Sequence, residues 1–114
     1  MLNSKEERIL NGLLDAVSER QQILANNIAG SRVKGFQGRD LDFNLVMSDL
    51  RSGQAIDKGT MLSKATVKYE KGPINLEDEM SKMYKNHVTY VLLTRINGHI
   101  YQHMEEATQA ARAG

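Results

Sequence analysis

Hydrophobic residues in the first thirty positions recur at steps of three and four. The stripe comprises Leu10, Leu13, Leu14, Val17, Gln21, Leu24 and Ile28, in which only Gln21 is polar. This spacing predicts an amphipathic helix with one narrow apolar face. Because Gly30 stands where a glycine commonly ends a helix, we expect residues 1–30 to form the first long helix.

A second helical pattern follows the Gly72-Pro73 step. Asn75 is a suitable N-cap, and the acidic residues at 77–79 match the positive end of the helix dipole. The stripe comprises Leu76, Met80, Met83, Tyr84, His87, Val88, Val91, Leu92, Ile96, Ile100, Tyr101 and Met104. We expect residues 73–114 to form the second long helix, with Gly98 as a place where it could bend.

Residues 31–72 are glycine-rich and have little periodic hydrophobicity. Asp42 could cap a brief helix that carries Phe43, Val46, Met47 and Leu50. Later, Ala65, Val67 and Tyr69 alternate with polar residues, which predicts a short strand. We therefore expect a short, irregular, β-containing middle segment with few core residues.

Together these patterns predict a mainly α fold, an elongated helical hairpin of the N- and C-terminal helices. The chain has 114 residues, which is the length of a single domain. A narrow stripe buries little area within one pair of helices. The hairpin should therefore complete its burial against neighbouring subunits, through seams of the coiled-coil type.

Composition narrows the classes of function. The formal net charge is +1, so no strong attraction to nucleic acid is expected. The chain has no cysteine, which excludes disulfides, thiol nucleophiles and cysteine-ligated zinc. Its apolar runs are far shorter than the roughly 20 residues that a spanning helix needs, so membrane insertion is not expected. No catalytic or phosphate-binding motif is present, so we expect neither an enzyme nor a cofactor.

One group of side chains has spacing suited to metal ligands. His99 and His103 are four residues apart, and Glu106 follows on nearly the same helix face. Zinc needs three or four ligands in tetrahedral geometry, and no second element supplies them here. We assign no metal site. A metal-binding hairpin remains one alternative, and a helical adaptor or export chaperone is another.

Several short motifs resemble the bacterial flagellar rod and hook proteins. The N-terminal half carries Leu14-Asp15-Ala16, Arg20-Gln21, Leu24-Ala25-Asn26-Asn27-Ile28-Ala29, Gly35-Phe36 and Arg39-Asp40-Leu41-Asp42-Phe43. The C-terminal half carries Leu76, Glu79-Met80, Met83, Asn86 and Tyr90, which is similar to the pattern of the small rod members. The resemblance spans roughly residues 10–96. Members usually have a Thr-Pro-Gly turn after the first helix, and here the proline is missing.

The resemblance implies a structural subunit of the flagellar axis. In this family the terminal helices pack against each other and against neighbouring subunits to build a helical tube that transmits torque. The implied partners are other rod proteins, the MS-ring with its junction protein FliE, and the type III export gate. The implied location is the periplasmic rod of the basal body, reached by export without a cleaved signal peptide.

The same resemblance, combined with the stripes, predicts the residues of the subunit interface. On the N-terminal side these are Leu10, Leu13, Val17, Leu24, Asn26, Asn27, Ile28, Phe36 and Phe43. On the C-terminal side they are Met80, Met83, Asn86, Val88, Tyr90, Val91 and Leu92. The apolar members would form facing seams. Asn26, Asn27, Asn86 and Tyr90 would fix the register, because a misaligned polar group left unpaired costs about 1–3 kcal/mol.

Overall fold

The computed structural model describes residues 4–53, 57–69 and 72–113. The elements in chain order are α1 (Ser4–Gly30), β1 (Arg39–Leu41), α2 (Phe43–Ser52), α3 (Lys58–Ala65), β2 (Thr66–Lys68) and α4 (Leu76–Ala113). The molecule measures 66 × 28 × 16 Å along its principal axes. The predicted fold class, an elongated and mainly helical hairpin with a small sheet in its middle, is confirmed.

The two long helices run antiparallel. Asn27, near the end of α1, bonds to Glu79 near the start of α4, while Gln21, further back in α1, bonds to Asn86 further along α4. At this register Ser4 lies level with roughly residue 102, at 1.5 Å of rise per residue in both helices. The last turns of α4, residues 102–113, therefore extend beyond the start of α1. We call this segment the overhang.

Helix α4 begins where its sequence predicts. The backbone N–H of Asp78 donates to Oδ1 of Asn75 at 3.1 Å, so Asn75 caps the helix. The helix has 38 residues, about 57 Å, and runs without interruption through Gly98. No described helix combines the length and the apolar character needed to cross a membrane.

The middle of the chain is more ordered than its sequence predicts. The short helix capped by Asp42 is present as α2, with Oδ1 of Asp42 accepting from the N–H of Asn44 at 2.9 Å. It ends at Gly53, whose φ of 73° lies in the left-handed region that favours glycine. The sequence analysis missed α3, which is capped by Asp57 through a bond from the N–H of Thr60 at 3.1 Å.

Strands β1 and β2 form a two-stranded antiparallel sheet. Its register pairs Arg39 with Lys68, Asp40 with Val67 and Leu41 with Thr66. The predicted strand is thus present around Val67, while Ala65 ends α3 and Tyr69 follows the strand. Strand β2 follows α3 directly and precedes α4 in the chain.

The apolar core lies between α1 and the middle segment. Its buried residues are Ala16, Ile23, Leu41, Val46, Leu50, Met61, Leu62 and Ala65. The expectation that the middle contributes few core residues was wrong, because α2 and α3 fold back along α1 and bring five of these side chains with them. Val17 and Leu24 are buried outside this cluster, on the face of α1 that α4 covers.

Candidate assembly interface

A polar cluster centred on buried Asn27 and Glu79 joins α1, α4 and the segment after β2. It consists of Asn27, Tyr69, Glu79 and Lys82. One Glu79 carboxylate oxygen accepts from Nδ2 of Asn27 at 2.9 Å. The other accepts from the Tyr69 hydroxyl at 2.7 Å and lies 3.4 Å from Nζ of Lys82. Because Glu79 is only 2% exposed, these partners replace the water that its charge would otherwise require.

Asn27 also holds the first strand. Its Nδ2 donates to the carbonyl oxygen of Arg39 at 2.7 Å, and its Oδ1 accepts from the N–H of Arg39 at 3.1 Å. The amide side chain thus pairs with the strand backbone as another strand would. Asparagine carries the donor and the acceptor that this pairing needs on one planar group, so the structure gives a physical reason for Asn at position 27.

The charges of the cluster are set by their contacts. Burial alone would lower the pKa of Lys82, but its 2.9 Å bond to the Tyr69 hydroxyl and the nearby charge of Glu79 outweigh burial and raise the pKa. Burial raises the pKa of Tyr69, and its bond to Glu79 adds to this effect. At neutral pH Lys82 is therefore charged and Tyr69 keeps the proton that it donates to Glu79.

A second polar contact lies one and a half to two helical turns away. Nδ2 of Asn86 donates to the carbonyl oxygen of Val17 at 2.9 Å and to Oε1 of Gln21 at 2.8 Å. Asn86 is 2% exposed. Glu79 and Asn86 are the only residues of α4 that are buried in the described chain. Both buried anchors of α4 are therefore polar.

An ion pair connects α1 to the sheet. The Arg20 guanidinium donates to both Asp40 carboxylate oxygens, at 2.8 and 3.0 Å, and lies 5.8 Å from the centre of the Phe43 ring. Burial alone would raise the pKa of Asp40, but the bonds from Arg20 and from the N–H of Leu41 outweigh burial and lower the pKa. Such a two-pronged pair fixes orientation as well as charge.

The surface of α4 that points away from α1 is apolar. Met80, Tyr84, Val88 and Leu92 follow one another at intervals of four residues, and their exposed fractions are 56%, 72%, 38% and 52%. We call these four residues the outer face of α4. Half-buried Val91 lies beside them. A row of exposed apolar side chains of this kind is typical of an interaction surface.

The predicted interface residues divide into three groups. Val17, Leu24, Asn27 and Asn86 are buried, so they hold this chain's own fold and leave a neighbouring subunit almost no surface to contact. The half-buried residues are Leu10, Leu13, Ile28, Phe36, Phe43, Met83 and Val91. The exposed residues are Asn26, Met80, Val88, Tyr90 and Leu92. The polar bonds expected between subunits are thus made within one chain at Asn27 and Asn86.

Sequence reasoning missed the centre of the polar cluster. It placed Glu79 among three acids at the start of a helix and in the Glu79-Met80 motif but gave it no buried partner, although Glu77 and Asp78 are exposed and Glu79 is buried. It treated Tyr69 as one position of an alternating strand. The available signal was the seven-residue interval from Glu79 to Asn86, which places both on one face of the helix but does not identify the partner of Glu79.

The histidine pair lies on an exposed part of α4. The two Nε2 atoms of His99 and His103 are 3.0 Å apart, and Nδ1 of His103 is 3.9 Å from Glu106. Among residues 4–53, 57–69 and 72–113, no group of three or more His, Cys, Asp or Glu side chains is arranged to hold a metal ion.

Comparisons with protein-family models and with curated proteins found no match to this chain.

Proposed function

We propose that this protein is a structural subunit of the bacterial flagellar rod, of the proximal type represented by FlgB. The proposal rests on the motifs at Asn26-Asn27, Gly35-Phe36 and Glu79-Met80, which resemble those of rod proteins. The spacing from Glu79 to Tyr90 favours the FlgB type over its sibling FlgC. The subunit would join other rod proteins, with the MS-ring and FliE below it, after passing the type III export gate.

The outer face of α4 is the structural observation that supports assembly with other subunits. In this chain α4 buries Glu79 and Asn86 against α1, while Tyr84 and Met80 remain largely in water. In a hairpin that functioned as a monomer, the apolar side chains of α4 would face α1 and the polar ones would face water, because burial of apolar area stabilises packing. The arrangement is suited to a helix whose apolar face is covered by other subunits.

The polar cluster supports the same proposal in a different way. Buried polar groups pair well in only one register, so Glu79 and Asn86 fix the alignment of α4 along α1. An open helical assembly repeats one heterologous contact many times, and a small error in each subunit would accumulate along the tube. A hairpin with a fixed register presents every neighbour with the same surface.

The proposal is tested in a deletion strain of the source bacterium with the gene restored on a plasmid. We expect the deletion to abolish swimming and to stall basal bodies at the MS-ring. The chain carrying Met80→Asp and Leu92→Asp should be exported without restoring the rod. Thr89→Asp, an exposed change about 120° around α4 from the centre of the outer face, is the control and should restore swimming.

Two results would overturn the proposal. The first is a deletion strain that swims with intact flagella in a genome without a paralogue. The second is a rod built normally by the chain with both outer-face aspartates, since two charges cannot be buried in an apolar contact without large cost.

A further inference from the structure

A groove lined by cations lies on the side of α1 opposite to α4. It has a volume of about 580 Å³, and its charged lining residues are Arg39, Lys58, Lys68 and Glu19. Glu19 is two positions from Val17 in α1, and a two-residue step turns about 200° around a helix. Since Val17 faces α4, Glu19 and the groove face the other way. We call Arg39, Lys58 and Lys68 with the space between them the basic groove.

Two of these cations oppose each other across the sheet. Arg39 and Lys68 are direct partners in the antiparallel register. In the next pair along the sheet, the N–H of Tyr69 donates to the carbonyl oxygen of Gly38. Because hydrogen-bonded and non-hydrogen-bonded pairs alternate, Arg39 and Lys68 form a non-hydrogen-bonded pair. Side chains approach most closely at that position, and like charges placed there are destabilising. An anion between them would relieve this repulsion.

Acidic side chains of the described chain neutralise the groove only in part, since Glu19 lines it and Asp15 pairs with Lys58. Lys58 meets Asp15 at 3.4 Å, in a pair whose side chains are 62% and 45% exposed. Across residues 4–53, 57–69 and 72–113, no carboxylate forms an ion pair with Arg39 or with Lys68. The groove therefore presents net positive charge to whatever approaches it.

The overhang has the complementary charge and length. It carries the adjacent acids Glu105 and Glu106, both exposed, and every residue from 102 to 113 except Met104 is exposed. Its length is about 18 Å at 1.5 Å per residue. The basic groove follows α1 from the level of Asp15 to the level of Asn27, which is also about 18 Å.

We propose that the overhang of one copy docks in the basic groove of the next copy, with Glu105 and Glu106 beside Arg39 and Lys68. The contact joins two different surfaces toward opposite ends of the molecule, so it is heterologous, and it yields an open series of subunits where its rotation does not close a ring. This docking proposal rests on the proposed function only in assuming that copies of this chain assemble in series. It adds an electrostatic contact that is separate from the outer face of α4.

Cross-linking of the purified chain tests this contact directly. The chain has no cysteine, so an introduced pair is the only source of disulfides. With Lys68→Cys and Glu105→Cys in the same chain, oxidation of the concentrated protein should give a ladder of dimers, trimers and longer products. Each single cysteine variant can give only dimers. A chain with Lys85→Cys and Glu105→Cys is the control for random collisions between two-cysteine chains and should give far fewer trimers and longer products.

The charge dependence provides the second measurement. Adding Arg39→Glu to the ladder-forming chain should lower the yield of trimers and longer products about tenfold, and raised salt should do the same. Adding Lys85→Glu should leave the yield unchanged. A double-cysteine chain that forms no more trimers than the control pair, or a ladder unaffected by Arg39→Glu, would overturn the inference. Because these readouts need no flagellum, they separate this inference from the motility test of the proposed function.

Discussion

The two faces of α1 are packed in different ways. One face meets α2, α3 and the sheet through an apolar cluster that includes Ala16, Ile23 and Leu62. The other meets α4, where the buried groups of the partner helix are Glu79 and Asn86. The contact with α2 and α3 is thus mainly apolar, whereas α4 contributes buried polar groups to a contact in which Val17 and Leu24 of α1 are also buried.

This difference indicates that one contact mainly stabilises the fold and the other mainly aligns α4 along α1. Apolar burial is strong but tolerates small shifts, since it depends on area and little on direction. Hydrogen bonds between buried groups contribute less on balance, and they weaken steeply when the donor–acceptor distance and angle leave a narrow range. We infer that the core with α2 and α3 keeps the chain folded, and that the contact with α4 sets where the long helix lies.

The largest effect is expected in the core. Leu62→Ala should lower the free energy of unfolding by about 2–5 kcal/mol, because it removes a side chain that is 6% exposed and leaves a cavity. Urea denaturation followed by circular dichroism would measure this change. Leu92→Ala, on the outer face of α4, is the control and should change stability by less than about 0.5 kcal/mol. Equal losses from the two substitutions would contradict the division described above.

A smaller and more local effect is expected in the polar cluster. Glu79→Ala should cost about 1–3 kcal/mol, since Asn27 and Tyr69 each lose the acceptor of a buried or half-buried bond. Amide hydrogen exchange should show that α4 loses protection before α2 and α3 do. Glu77→Ala, in the same turn but exposed, is the matched substitution and should leave exchange unchanged. Simultaneous loss of protection in α4, α2 and α3 would show that the two contacts are not separable.

The smallest effect concerns acid stability at the ion pair of Asp40. Because its folded pKa lies below the ordinary value of 3.8, ionised Asp40 contributes stability above that value. The contribution is lost as pH falls from the ordinary value through the folded pKa. Asp40→Asn should therefore reduce the loss of stability between about pH 5 and pH 2, measured by urea titrations at several pH values. An unchanged slope would mean that Arg20 does not hold Asp40 preferentially in its charged form.

Sequence patterns predicted the long elements well because each has a periodic stripe and a terminal signal. Gly30 and Asn75 lie where α1 ends and where α4 is capped. Helix α3 was missed because its eight residues hold too few apolar positions to show a period. Its Met61 and Leu62 become core residues only through contacts distant in sequence.

The interface prediction shows where a stripe stops being informative. A periodic stripe identifies the residues that prefer to leave water, but it does not identify what covers them. Val17 and Leu24 are covered by the same chain, whereas Met80 and Leu92 are not. Glu79 was missed for a related reason, since its burial depends on Asn27, 52 positions away in the sequence.

The end of α1 has a consequence for how the gene can vary. At Gly30 the Phe36 ring occupies the space where any side chain would begin. Every missense change at codon 30 replaces glycine by a residue with a side chain. The Phe36 ring would then have to move to make room for it. Gly98 has open space around it and is already within a helix, where alanine is the better former. Among natural variants and in random libraries, codon 30 should therefore stay fixed while codon 98 drifts.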